Sequence, residues 1–455
     1  MAVISTVKLS ELKPGFRIDS EFYQPDYLFL ERELKAFSCR KIKSFAKVTD
    51  GEHGSVKLRA NGIKYLTAEN VKNGYIDISK VRFVDEEVDR RNRRASVRAG
   101  DVLISIKGTL GEVAIAEEWL LPANMNRDVA IIKPFENSEI LPEYLTIFLM
   151  SKFGAFQAKR EGSGGVQQMI TLGRLREFLV PKLPEESQEK IKSLYLGSLS
   201  KKVEADSLYS QASKFLEDAL GLNHISLKNE KTFTAKLSHI SNRNRFDGEH
   251  YKPRYIQLKE IIKNYKNGWE YFLLNVQYKR PNFNPVNSPN KVFNYIELSD
   301  INSNFGVVNS SNLIKGKEAP SRAKRVVNHG DIIVSSVVGS IDKAAIVSKS
   351  EDNHLASTGF FHFRSTVYSP QFLLLLVRSK LFTEQLFQES TGGILSAVPD
   401  SNLRHIIIPK FSIDIQETIT DLVSRAHQAH WESKELLEQA KQEVETLIEQ
   451  TETVS

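Results

Sequence analysis

A single cysteine, Cys39, stands among the 455 residues. That excludes an intramolecular disulfide framework and any site built on clustered thiolates. Cys39 lies beside Arg40 and Lys41, which would favour a thiolate, but no nearby histidine makes it a nucleophile. No apolar run approaches the roughly 18 residues of a membrane-spanning helix, and Met1–Ser10 lacks a signal-peptide core, so a cytoplasmic protein with no membrane partner is expected. Catalytic signatures are missing as well. There is no G-x-x-x-x-G-K-[ST] phosphate loop, and Gly162-Ser-Gly-Gly165 runs on into Val-Gln-Gln, which fits no dinucleotide fingerprint. His53, His354, His362 and His405 are scattered outside any metal-ligand spacing. Pro281-Asn-Phe-Asn-Pro285 has the wrong order for the Asn-Pro-Pro-aromatic motif of amino-methyltransferases.

What is present is ordinary in bulk and uneven in detail. Apolar residues make up 41% and charged residues 26%, values of a globular chain long enough for two to four domains. The formal net charge of +6 conceals a division. Glu185–Leu220 carries a net −2 and Phe411–Ser455 a net −7, so the remainder carries +15. A cationic body of that size suits counterion-release binding to a polyanion, although a mildly basic protein with no nucleic-acid role has the same arithmetic.

The chain is written twice. Arg17-Ile-Asp-Ser-Glu-Phe-Tyr-Gln-Pro-Asp-Tyr27 returns as Arg245-Phe-Asp-Gly-Glu-His-Tyr-Lys-Pro-Arg-Tyr255, identical at every alternate position, at an offset of 228. Tyr65-Leu-Thr-Ala-Glu-Asn-Val71 answers to Tyr295-Ile-Glu-Leu-Ser-Asp-Ile301. Gly100-Asp-Val-Leu-Ile-Ser105 answers to Gly330-Asp-Ile-Ile-Val-Ser335, each followed by a Gly-Thr or Gly-Ser step at Gly108 and Gly339. Gly164-Gly165, Leu175-Arg176 and Pro181-Lys182 recur as Gly392-Gly393, Leu403-Arg404 and Pro409-Lys410.

Each copy has one coarse reading. Short helices are expected at Tyr27–Phe37 and Tyr255–Lys266, and buried strands at Val102–Ile106 and Ile332–Val338 after the Gly-Asp turns. Thr146–Lys159 and Gln371–Gln388 are apolar at helical spacing, and Thr171 and Asp400 are candidate caps of a short helix before strands ending at Pro181 and Pro409. A long helix closes each copy. Ile191, Leu194, Ser198, Lys201, Ala205, Leu208, Ala212, Phe215, Ala219 and Leu222 follow a 3,4 spacing, as do Ile419, Leu422, Ala426, Ala429, Ser433, Leu436, Ala440, Val444 and Leu447 with one 4,4 step. The seams predict an antiparallel pair of helices, each roughly 55–60 Å long. Docking of each helix on its own domain is the alternative.

Candidate DNA contacts follow from side-chain chemistry. Asp89–Arg98 packs Arg90, Arg91, Arg93 and Arg94 ahead of the first Gly-Asp turn, and Arg322, Lys324 and Arg325 precede the second. Arginine suits phosphate clamping and bidentate guanine contacts, although a solvated charged face reads the same way. Lys57 and Arg59 sit in a Gly-flanked loop, whose counterpart holds Lys279, Arg280 and Asn282. Lys107 and Thr109, with Ser340 and Lys343 in the second copy, lie at the Gly-Thr and Gly-Ser turns, which read equally well as plain structural turns. Gln167 and Gln168 offer amides after the Gly-Gly step, whereas Thr391–Ser396 has no glutamine there.

These duplicated elements together resemble the specificity subunits of type I restriction–modification systems, over essentially the whole chain. The resemblance implies an α+β fold of two tandem pseudo-symmetric target-recognition domains separated by two long antiparallel coiled-coil helices. The corresponding boundaries are 1–184 and 236–411 for the domains, with 185–235 and 412–455 as helical spacers. It further implies a non-catalytic chain of the prokaryotic cytoplasm that reads a bipartite site in double-stranded DNA, one half per domain. The helices would dock two methyltransferase subunits and, with them, restriction/translocase subunits. S-adenosylmethionine, ATP and Mg would then be cofactors of those partners, with none held here. Two rivals remain: a nuclease acting through Glu69, Asp101 and Asp331, for which turn-capping is the simpler explanation, and an adaptor blind to sequence.

Overall fold

The computed structural model describes residues 6–8, 12, 19–162, 168–221, 230, 232–238, 240, 245–393 and 396–450. Arg17, Gln167 and Leu222, all singled out above, lie outside the described residues. The chain divides into two units, one formed by Met1–Lys202 with Trp431–Ser455 and the other by Val203–His430.

In the first unit, Gly100 supplies the positive φ of +84° that turns the chain into strand Val102–Ser105. This strand is buried along its whole length, because it lies inside a four-stranded antiparallel sheet in the order Ala46–Asp50, Val129–Pro134, Val102–Ser105, Val113–Ile115. A second sheet orders Arg82–Val84, Ile63–Leu66 and Ala123–Met125, the last two parallel. Cys39–Lys41 pairs with Leu179–Pro181. The second unit repeats this plan. Gly330 has φ +83°, and the strands run Val276–Tyr278, Phe360–Ser365, Ile332–Ser335, Ala344–Ile346 before two further short strands extend the sheet. Trp269–Tyr271 pairs with Ile407–Pro409, as Cys39–Lys41 does with its partner.

Helices form at Pro25–Ala36 and Pro253–Lys263, each starting on a proline whose fixed φ and missing N–H suit the first turn. The apolar stretch at 146–159 is two helices, Pro142–Met150 and Lys152–Glu161, and its counterpart is Pro370–Arg378 and Lys380–Glu389. A serine makes each break. Ser379 turns extended and accepts the Phe382 amide at 3.3 Å, and Ser151 donates its hydroxyl to Phe148 O at 2.6 Å. Thr171 caps helix Leu172–Arg176 by accepting the Arg174 amide. Asp400 does not cap, contrary to expectation: its carboxylate accepts the Tyr278 hydroxyl, and Pro399 occupies the cap position.

The long helices are Glu185–Ala219 and Ile413–Glu449. Within the first unit they run antiparallel. Lys190 pairs with Glu443 and Lys201 with Glu432, both at 2.8 Å, and Ser433 donates to Ser198 O at 2.8 Å. Ile191, Tyr195, Ala440, Val444 and Ile448 join the same buried cluster as Val102, Ile104, Ile132 and Phe148. In the second unit, Ala205, Leu208, Ala212 and Leu216 join Ile419, Val423, Ala426 and Ala429 in the cluster that holds Ile332, Phe363 and Phe372. Both sequence readings of the helices thus hold in part, since each segment meets its antiparallel partner and also a domain core. The need to serve both surfaces widens the buried stripe. Tyr195, Tyr209 and Leu216 are buried, while Phe215, a seam residue by spacing, is 37% exposed. A straight helix drifts about 20° per heptad from a 3.5-residue repeat, which carries Phe215 off the seam.

Both Gly-Asp turns are closed by a buried aspartate. Asp101 accepts the Arg98 amide at 2.8 Å and meets Lys133 Nζ at 3.2 Å. Asp331, completely buried, accepts the Asn328 amide at 2.9 Å and contacts His362 Nε2 and Arg364 Nε, each at 2.6 Å, and Lys279 Nζ at 3.1 Å. Their ionisation differs accordingly. For Asp101, burial dominates and raises the carboxyl, with Lys133 and the Arg98 amide offsetting only part of it. For Asp331, burial also pushes upward but is outweighed by His362, the Asn328 amide and Arg364, so the carboxyl is held far below its ordinary value. Burial lowers His362, which donates its Nε2–H as a neutral ring.

A group held low in the fold stabilises it above its unfolded pKa, ~3.9 for aspartate, and loses that contribution as acid protonates it. Asp331→Ala is therefore expected to cost about 3–5 kcal/mol at pH 7, because it takes the carboxylate away from the donors gathered around a buried site. That penalty should shrink below about pH 4. Asp101→Ala should cost less at pH 7, since the raised carboxyl gains less from ionising in the fold. Urea unfolding at the two pH values measures both; equal penalties for the two variants would contradict the assignment.

Candidate nucleic-acid interface

In the first unit, strand Ala46–Asp50 ends at Gly51, where a side chain is impossible: a Cβ would lie 2.1 Å from Met125 O. The close approach lets Glu52 N donate to Met125 O at 2.9 Å and Arg127 N donate to Glu52 O at 3.1 Å. The turn Asn126–Asp128 is thereby stitched to the end of the central sheet. Its own side chains tighten it further. Asn126 Nδ2 donates to Asp128 Oδ2 at 2.7 Å, the Asp128 amide donates to Asn126 Oδ1 at 3.1 Å, and Ile106 N donates to Asp128 O at 2.9 Å.

Basic side chains line this edge. Arg94, on the turn Arg93–Ala95, reaches Asp50 Oδ1 and Gly51 O, both at 3.4 Å. Arg91, ending helix Glu86–Arg91, lies 3.2 Å from Glu52, and His53 lies 2.8 Å from Asp50. Lys107 stands 3.9 Å from Asp128 and pairs in backbone register with Met169, next to exposed Gln168. The Gly54 amide, then Arg91, holds the Glu52 carboxyl below the usual carboxylate range against a burial effect that would raise it. Arg59 forms a two-nitrogen fork on Asp85, with Nε at 2.9 Å and Nη2 at 2.6 Å, and its amide donates to Phe83 O. Lys57, Arg90, Arg93 and Thr109 are exposed. Arg91, Arg94, Lys107 and Gln168 thus share one strip with His53, Asn126 and Arg127, which sequence reasoning did not select. The Asn-x-Asp spacing around Arg127 is the signal that was available, since such a pair closes an Asx turn.

In the second unit, the loop after Tyr278 lies along strand Ala323–Val326: Asn282 N and Phe283 N donate to Lys324 O, and Thr358 N donates to Arg322 O at 2.8 Å. Arg280, Asn282, Arg322 and Lys324 are exposed on this strip. Four other expected contacts have different work. Arg325 is 2% exposed and donates to Lys279 O at 2.6 Å and to the Tyr278 hydroxyl at 3.2 Å, so it is an internal strut and offers no surface to DNA. Period-2 alternation explains it, because Ala323, Arg325 and Val327 face inward and Lys324 outward. Lys279 is tied to Asp331, Lys343 donates to Ile301 O at 3.1 Å, and the Ser340 hydroxyl bonds Ser335 Oγ at 3.0 Å within its turn.

Two of the three carboxylates considered for catalysis behave as scaffold. Asp101 and Asp331 are buried and occupied by their turns, and Glu69 is exposed. Among the described residues no group of three or more His, Cys, Asp or Glu is placed to hold a metal ion, and no helix is long and apolar enough to cross a membrane.

A family model described as the type I restriction modification DNA specificity domain matches residues 35–201. The chain is 29% identical over 150 residues to the type I restriction enzyme EcoBI specificity subunit of Escherichia coli, which covers 31% of each chain. It is 27% identical over 141 residues to the type I restriction enzyme HindI specificity subunit of Haemophilus influenzae, covering 30% of each. The matches thus span less than a third of these relatives' length. A type I restriction–modification S subunit from M. genitalium aligns over 90% of this chain and 95% of its own, with 12% identity and a TM-score of 0.45. Over residues 35–201 this chain matches the type I restriction modification DNA specificity domain, and over part of its length it is similar to specificity subunits of type I restriction–modification systems.

Proposed function

We propose that this chain is the DNA-reading subunit of a type I restriction–modification assembly in the prokaryotic cytoplasm. Each unit takes one half of a bipartite double-stranded site. The long helices set the spacing between halves and offer docking surfaces to two methyltransferase subunits and, through the assembly, to restriction/translocase subunits. Methylation from S-adenosylmethionine and ATP- and Mg-dependent cleavage belong to those partners, and this chain contributes sequence choice alone. The observation that carries the reading is a repeated scaffold with unlike polar edges. Both units use the same sheet order and Gly-Asp turn. The first edges them with Arg91, Arg94, Lys107 and Gln168, and the second with Arg280, Asn282, Arg322 and Lys324. Phosphate contacts position a protein on DNA and base-edge contacts specify the sequence, and arginine, asparagine and glutamine are the side chains suited to both tasks. That the matched domain covers only the first half is compatible with a second reader, because the second half repeats the first.

Exchanging residues 38–184 for those of another specificity subunit should change one half of the methylated motif and leave the other half and the spacer intact. Genome-wide methylation mapping reads this directly, and a change in both halves would refute two independent readers.

The charge assignment is tested separately. Replacing Arg280, Arg322 and Lys324 together by alanine should weaken binding of the full chain to duplexes of any sequence. It should also flatten the dependence of log K on log salt by about 2–3, at roughly 0.9 for each phosphate that is no longer neutralised. Arg325→Ala should leave that slope unchanged and lower thermal stability, because its guanidinium is an internal strut. A slope altered by Arg325→Ala would overturn the distinction.

A further inference from the structure

We propose that Arg127 is a specificity-determining residue that reads a guanine in the half-site taken by the first unit; this rests on the DNA-reading function proposed above. Three features of the structure converge on it. The first is rigidity. Arg127 occupies the middle of a turn whose backbone is fixed by its own N–H to Glu52 O, by Ile106 N to Asp128 O and by the reciprocal Asn126–Asp128 bonds. The next residue, Asp128, leads straight into strand Val129–Pro134 of the central sheet. A side chain launched from such a turn loses little backbone freedom when it meets a ligand, unlike one on a long loop.

The second feature is availability. Three arginines of the unit are held by carboxylates, Arg59 by Asp85, Arg91 by Glu52 and Arg94 by Asp50, the last two on the same strip. Arg127 is exposed and makes no ion pair among the described residues. The adjacent Asp128 is occupied by Asn126 and lies near Lys107. The planar fork of Arg127 is therefore presented to solvent with all its donors unspent.

The third feature is the comparison between the two copies. The turn recurs in the second unit, where Ser336 N donates to Gly359 O as Ile106 N does to Asp128 O, and Thr358 stands where Arg127 stands. A phosphate clamp has the same task in any half-site, because the DNA backbone does not vary. A base reader must change when the sequence changes. An exchange of Arg for Thr on a turn that keeps this bond to the central sheet, while its middle amide passes from Glu52 O to Arg322 O, is the behaviour of a base reader; a free guanidinium fork matches the O6 and N7 acceptors of guanine in the major groove.

The test uses the full chain assembled with its methyltransferase subunits, comparing wild type, Arg127→Ala and Arg127→Lys. Methylation mapping of the expression host's DNA first gives the wild-type motif. Duplex competition then measures the preference for guanine over the other three bases at each position of both half-sites. For one guanine in one half-site, both variants should lose a preference of about 10- to 100-fold, with the other half-site and the spacer unaffected. If Arg127→Lys keeps the wild-type preference while Arg127→Ala weakens all duplexes alike, Arg127 is a phosphate contact and the proposal fails. Unchanged preferences in both variants overturn it as well. Absence of any split motif with wild type would instead remove the DNA-reading function itself, whatever Arg127 does.

Discussion

Neither core is closed by the sheet and short helices around it alone; in both, the closing surface comes from the long helices. In the first unit Ile191 and Tyr195 from one helix and Ala440, Val444 and Ile448 from the other lie in the cluster built around Val102 and Phe148. In the second, Ala205 to Leu216 and Ile419 to Ala429 do the same around Ile332 and Phe372. Each segment must therefore satisfy two surfaces at once, an antiparallel partner and a domain body. Small residues at Ala205, Ala212, Ala426, Ala429 and Ala440 answer the first demand by bringing helices close, and Tyr195 answers the second by reaching Gly74 O with its hydroxyl at 2.8 Å. In the second unit His427 plays the matching part, bonding Phe305 O at 2.7 Å as a ring that burial keeps neutral.

That shared scaffold frees the sheet edges to diverge. The Gly-Asp turn is present in both units as a buried electrostatic knot, but its composition is adjustable: one cation in the first, two cations and a histidine in the second. Around the first knot's sheet, Asp85, Glu52 and Asp50 hold Arg59, Arg91 and Arg94 in place, so the orientation of these guanidinium groups is fixed by ion pairs within the unit.

The scaffold was largely legible from the chain because duplication doubles every signal. Gly100-Asp101 with Gly330-Asp331, the Thr171 cap and the two helical seams each gave an element in the right place. Two kinds of feature were not legible. Some depend on which way one side chain turns: Arg325 reads as part of a basic cluster until the strand through Ala323 and Val327 orients it inward, and Asp400 reads as a cap until the Tyr278 hydroxyl takes its carboxylate. Others depend on who the neighbours are. Arg127 is one arginine among many in the sequence, and its place on a fixed turn beside the ion-paired Arg91 and Arg94 shows only in the fold. The break at Ser151 belongs to the first kind, since a single serine interrupts an otherwise continuous apolar spacing.

The division of the helices has a consequence for synthesis. The second unit is one uninterrupted stretch, Val203–His430, whereas the first needs both Met1–Lys202 and the segment that begins at Trp431. As the chain leaves the ribosome, the second unit can collapse as soon as its own residues have emerged, while the first must wait until an entire further domain has been made. Through that interval the faces of Ile191 and Tyr195 have no Val444 or Ile448 to cover them. The domain translated first is thus the last to be finished, and a nascent chain stalled near residue 430 would hold a completed second unit beside a first one that is still open.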